Sequence, residues 1–99
     1  MTEVAVLIKR RYEGAKRVDI KHEVLCGIRS IGMQEFYSSN ATDFHPELKL
    51  ILADYLDYDG ETLADYNSQR YRIIRTYRTG QELELTLERA PVEDGEADA

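Results

Sequence analysis

The 99-residue chain has no tryptophan, a single cysteine and only two prolines. One cysteine, Cys26, excludes an internal disulfide, so the fold stands without oxidation, as suits a reducing compartment. No apolar run approaches the ~18 residues of a membrane-spanning helix. The opening residues also lack the apolar core and cleavage site of a secretory signal. Basic charge is short as well: 13 Lys and Arg against 19 Asp and Glu give 13 − 19 = −6. That balance excludes a whole-surface grip on nucleic acid, because phosphates demand a net basic footprint. Four of the acids, Glu93, Asp94, Glu96 and Asp98, crowd the C-terminal end. With 42% hydrophobic residues the composition is that of one small globular domain.

What the sequence does have is a period of two. Val18, Ile20, His22, Val24, Cys26 and Ile28 alternate with Asp19, Lys21, Glu23, Leu25, Gly27 and Arg29, which predicts a long strand with one face buried. Leu83, Leu85 and Leu87 alternate with acids and Thr86, and Leu48, Leu50 and Leu52 follow Pro46 in the same way. A first strand, Val4 to Lys9, is apolar almost throughout and is expected to be covered on both faces. Tyr71, Ile73 and Tyr77 supply the inward side of another, with Arg70, Arg72 and Arg78 facing out.

Turn residues separate these runs. Glu13-Gly14-Ala15 ends the first, an exposed acidic turn runs from Asp57 to Glu61, and Thr79-Gly80-Gln81 closes the last hairpin. Asn67-Ser68 reads as a two-residue hairpin with Ser in the place Gly prefers. Pairing Arg78 with Glu82 and Arg72 with Glu88 puts opposite charges together on one face and sets Tyr77 beside Leu83 on the other. Helical spacing occurs only at Met33, Phe36, Tyr37, Asn40 and Ala41, and Pro46 ends that helix before His45. The pattern predicts an all-β fold of about six strands with one short α-helix, a small antiparallel β-barrel or a sandwich. Residues 1–90 form this domain, and 91–99 are a disordered acidic tail.

Little in the pattern points to catalysis or metal binding. His22 and Cys26 are four apart on a strand, roughly 13 Å, and read as sheet residues rather than ligands. Asp57, Asp59 and Gly60 imitate part of a calcium loop, but Tyr55 and Tyr66 occupy the positions of its first and last ligands. Ser38, Ser39, Asp43 and His45 hold the letters of a triad without a nucleophile motif around them. The six glycines are isolated, so no phosphate-cradling loop is present. No enzyme, cofactor or metal is expected. Arg70, Arg72, Arg75 and Arg78, interleaved with Tyr71 and Tyr77, allow an alternative: a small barrel binding single-stranded nucleic acid.

An ordered set of segments carries a resemblance. Ile28-Arg29-Ser30-Ile31 leads into Gly32-Met33-Gln34-Glu35-Phe36-Tyr37. Pro46-Glu47-Leu48-Lys49-Leu50 follows, then Tyr66-Asn67-Ser68-Gln69-Arg70-Tyr71-Arg72-Ile73-Ile74-Arg75-Thr76-Tyr77 and Glu82-Leu83-Glu84-Leu85-Thr86-Leu87. Across residues 4 to 90 this order resembles the small head–tail joining proteins of long-tailed bacteriophages and prophages, also called head-closure, head-completion or stopper proteins. The resemblance implies a small β-barrel and a structural, non-catalytic role in the virion, made in the bacterial host cytoplasm. Copies would assemble as a ring below the portal or adaptor protein, close or extend the channel for double-stranded DNA, and dock the tail terminator or tail tube. No membrane is involved. An acidic ring wall would repel DNA and let it slide. Two connections are candidates for the channel-facing or partner-docking segment: Glu13, Gly14, Lys16 and Arg17, and the stretch containing Tyr37, Ser38, Ser39, Asn40, Thr42, Asp43 and Phe44. Tyr55 and Tyr58, beside a connection, are further interface candidates.

Overall fold

In a strand the side chains alternate between two faces, so a period-two sequence can bury one face only if its sheet meets another layer or closes on itself. Here it closes. A computed structural model describes residues 2–31 and 46–90. The strands are β1 (Glu3–Glu13), β2 (Lys16–Ser30), β3 (Pro46–Leu52), β4 (Leu63–Tyr66), β5 (Gln69–Thr79) and β6 (Glu82–Arg89). Their order around the sheet is β1-β2-β3-β6-β5-β4, every pair is antiparallel, and β4 returns to β1 to complete a closed barrel. The expected helix around Met33–Ala41 and the acidic tail lie outside the described residues.

The interior is filled by the inward members of each alternation: Ala5 and Leu7, Val24 and Cys26, Leu50 and Leu52, Ala64, Tyr71, and Leu83, Leu85 and Leu87. Several are fully buried leucines, each stabilising the fold by about 2 kcal/mol through removal from water. Between β3 and β4 a 3₁₀ turn, Tyr55–Asp57, crosses one end of the barrel. Asp54 caps it by accepting from the Leu56 amide at 3.0 Å, and the Tyr55 amide donates to the Gln81 carbonyl at 2.8 Å. Tyr55 and Tyr58 are partly buried and pack against the core. Glu61, expected to be exposed, is buried because its carboxylate turns back to accept from the Asp59 amide at 2.6 Å.

Two differences from the sequence pattern matter. The β5–β6 register begins as expected, with Arg72 opposite Glu88 and Ile73 opposite Leu87. A bulge at Ile74 then shifts it by one, so Arg78 faces Leu83 and Tyr77 faces Glu84 instead of Arg78–Glu82 and Tyr77–Leu83. An extra residue in one strand reverses the side-chain alternation beyond it. Tyr77 is thereby turned to the surface, and Arg78 lies over the Tyr55 ring, 3.5 Å from its centroid. The second difference is in β1 and β2, which are longer than the barrel. Val4 is 46% exposed rather than covered, and Ile20 and His22 of the β2 alternation are exposed.

The hairpin at Asn67-Ser68 forms as expected, with Tyr66 paired to Gln69. Both turn residues have positive φ, 53° and 66°, the combination a type I′ turn requires. A left-handed L-residue costs about 1–2 kcal/mol, which glycine avoids while giving back part through its freer unfolded chain. Ser68→Gly is accordingly expected to stabilise the barrel by roughly 0.5–1 kcal/mol, read as an increase of about 3–6 °C in Tm.

Candidate functional site

A closed barrel offers no strand edge, so attention falls on the part of the sheet that is not closed. β3 pairs with β2 only from Cys26 to Ser30, and β4 pairs with β1 only from Val6 to Ile8. Among the described residues no strand flanks β1 beyond Ile8 or β2 before Cys26. The two strands nevertheless stay paired to Glu13 opposite Lys16. The result is a two-stranded ribbon that outruns the barrel, in a molecule whose principal extents are 42 × 30 × 22 Å.

The ribbon's tip corrects the expected loop. Gly14 and Ala15 alone form the turn, with Gly14 first and at φ +67°, as a type II′ hairpin requires. Glu13, Lys16 and Arg17 are strand residues rather than members of a movable connection. Tyr37, Ser38, Ser39, Asn40, Thr42, Asp43 and Phe44 lie outside the described residues. The strands entering and leaving that stretch, β2 and β3, meet at the barrel end opposite the ribbon, where Ser30 faces Leu48.

Cross-strand pairing sorts the ribbon into two faces. One carries Lys9 with Ile20, Arg11 with Val18 and Glu13 with Lys16; the other carries Arg10 with Asp19 and Tyr12 with Arg17. On the second face Asp19 lies 3.6 Å from Arg10 Nε and 3.5 Å from Arg17 Nε. Tyr12 is 69% exposed. Sequence reasoning found the alternation but not its lack of cover, because whether an inward face meets a neighbour depends on where the flanking strands stop.

The arginine stripe of β5 is largely committed to partners in its own sheet. Arg70 grips Asp65 through two contacts of 2.7 and 2.9 Å, and Arg72 pairs with the buried Glu88. Arg78 donates to the Gly80 carbonyl at 2.8 Å while covering Tyr55. A hollow of about 300 Å³ on the outer face is lined by Arg29, Ile51, Tyr77, Thr79, Glu82 and Glu84. Glu84 holds Lys49 at 3.1 Å and Arg29 at 3.7 Å beside it. Nearby, Val4 stands opposite Leu25, and both are exposed.

Among the described residues no group of three His, Cys, Asp or Glu could hold a metal ion, and no helix is long and apolar enough to cross a membrane. His22 sits on the exposed part of β2 and Cys26 in the core, opposite Glu3. Burial pushes the Cys26 thiol above its ordinary 9.0, and the Glu3 carboxylate adds to the shift. Tyr66, which donates to Glu3 at 2.9 Å, is raised above 10.0 by that hydrogen bond, and Tyr58 chiefly by burial.

These shifts set a pH dependence. A group held protonated in the folded chain ionises first in the unfolded one, so its contribution is complete below the ordinary value and lost as pH rises. The contribution of these three groups to stability is expected to be lost as pH rises above about 9, measured by urea unfolding between about pH 8 and 11, with a shallower fall in Cys26→Ala. In the folded protein Cys26 should resist alkylation that goes to completion in denaturant. Comparison of the chain with protein-family models and with curated protein sequences gives no match.

Proposed function

We propose that this chain is a structural, non-catalytic component of a bacteriophage head–tail connector, forming a ring below the portal or adaptor that closes or extends the DNA channel and docks the tail. The observation that carries the reading is the β1–β2 ribbon. β2 before Cys26 and β1 beyond Ile8 have no described strand on their outer sides, so the ribbon holds the longest run of strand edge this fold offers to another molecule; β5 beyond Ile73 holds a shorter one. Long, unflanked, partly apolar edges are a liability in a monomer and are useful in an assembly. The closed antiparallel barrel is also the fold that the sequence resemblance leads one to expect.

The nucleic-acid alternative draws on the β5 arginines, but Arg70 and Arg72 already hold Asp65 and Glu88. Using either for phosphate would strip a carboxylate of its partner, and Glu88 is only 4% exposed. The geometry favours association with protein.

The test is reconstitution on DNA-filled, tailless heads from a phage lysate lacking this gene. Purified protein is expected to bind at the portal vertex, reduce DNA leakage and permit tails to join. Binding to isolated tails alone would move it to the tail side of the junction. Binding to neither would contradict the connector reading.

A further inference from the structure

Charge is segregated along the chain. Residues 9–23, most of the ribbon, carry Lys9, Arg10, Arg11, Lys16, Arg17 and Lys21 against Glu13, Asp19 and Glu23, which is 6 − 3 = +3. The whole chain carries −6, so the remainder carries −6 − 3 = −9. Six of those acids lie outside the described residues, which leaves −9 + 6 = −3 on the described body. A basic arm on a mildly acidic body is complementary to a second copy of itself.

Two surfaces make that complementarity local. On the ribbon face that continues the barrel interior, Val18 and Ile20 are bordered by Lys9, Arg11 and Lys16. Ile20 is 41% exposed there, with no described strand beside it. At the 3₁₀ turn the signs reverse: Leu56 is 70% exposed, beside the exposed carboxylates of Asp57 and Asp59. The two surfaces touch once within the chain, where Lys9 Nζ lies 3.5 Å from Asp59 Oδ2 at the ribbon's base. An unbroken ladder to Glu13–Lys16 carries the rest of the ribbon away from the barrel.

We propose that the ribbon of one copy receives the 54–60 turn of a second copy, with Leu56 seated on Val18 and Ile20, and Asp57 and Asp59 set against Arg11 and Lys16. The contact is heterologous, since ribbon and turn are different patches, so repeating it builds a ring or a filament. It specifies the copy-to-copy contact of the ring proposed above and rests on that reading only for closure. A protein partner fits better than nucleic acid, because Asp19 already lies against Arg10 and Arg17 on the other ribbon face and would repel phosphate there. Phosphate would leave the exposed Ile20 uncovered.

The test uses two full-length variants, Ile20→Cys and Leu56→Cys, mixed under mild oxidation; native Cys26 is buried and does not compete. The mixed disulfide is expected to form at least about tenfold faster than either symmetric dimer, because docking raises the local concentration of the two thiols. Salt should slow it, as should Asp57→Lys in the Leu56→Cys chain, and Arg11→Asp in the partner variant should restore it. Equal rates for all three disulfides, or a dominant Ile20→Cys dimer, would overturn the proposal. So would a DNA duplex that binds the wild-type chain, fails to bind Arg11→Glu, and blocks the mixed disulfide. Loss of the mixed disulfide with head binding intact overturns this contact and leaves the connector reading. The mixed disulfide without head binding does the reverse.

Discussion

The short ladder between Val6–Ile8 and Leu63–Asp65 closes the sheet, and the rest of the molecule depends on it. Thr62 extends the closure, its amide donating to the Ile8 carbonyl at 3.2 Å and its carbonyl accepting from the Ile73 amide at 2.9 Å. Only closure lets six amphipathic strands face one interior without a second layer. Because β4 has four residues, it can pair with only the middle of β1. The same constraint that completes the barrel therefore leaves Lys9–Glu13 unflanked and creates the ribbon.

The alternation of apolar and polar residues was enough to read an antiparallel barrel or sandwich, because period two with three hairpin turns has few other solutions; closure itself depends on the β1–β4 pairing. Asn67-Ser68 was legible for the same local reason. The register beyond Ile74 was not. Two arginine–glutamate matches favoured an uninterrupted ladder, whereas the bulge keeps Ile73 opposite Leu87 and still lets Arg78 reach the Tyr55 ring. Glu61 also escaped prediction, since its burial rests on a bond to a backbone amide two residues away. The exposure of Ile20 and His22 could not be read from β2 itself. It depends on β3 reaching no further than Leu52, opposite Cys26.

The candidate site was legible only in part. The tip residues Glu13, Gly14, Lys16 and Arg17 do sit at the end of an unflanked strand pair, yet in a paired hairpin with a two-residue turn rather than a longer loop. The β5 arginines, the strongest nucleic-acid signal in the sequence, lose that appearance once Asp65 and Glu88 are seen holding two of them. Charge works differently in the two places. In the sheet it is paired and fixes register, whereas between ribbon and body it is segregated and favours a second molecule.

The most direct test of the account is amide hydrogen exchange, comparing the free chain with the chain bound to tailless heads. The account predicts that protection rises across residues 9–23 while the Leu83–Leu87 core of the barrel is unchanged. Ribbon amides that exchange equally fast in both states, with new protection confined to other surfaces, would contradict it.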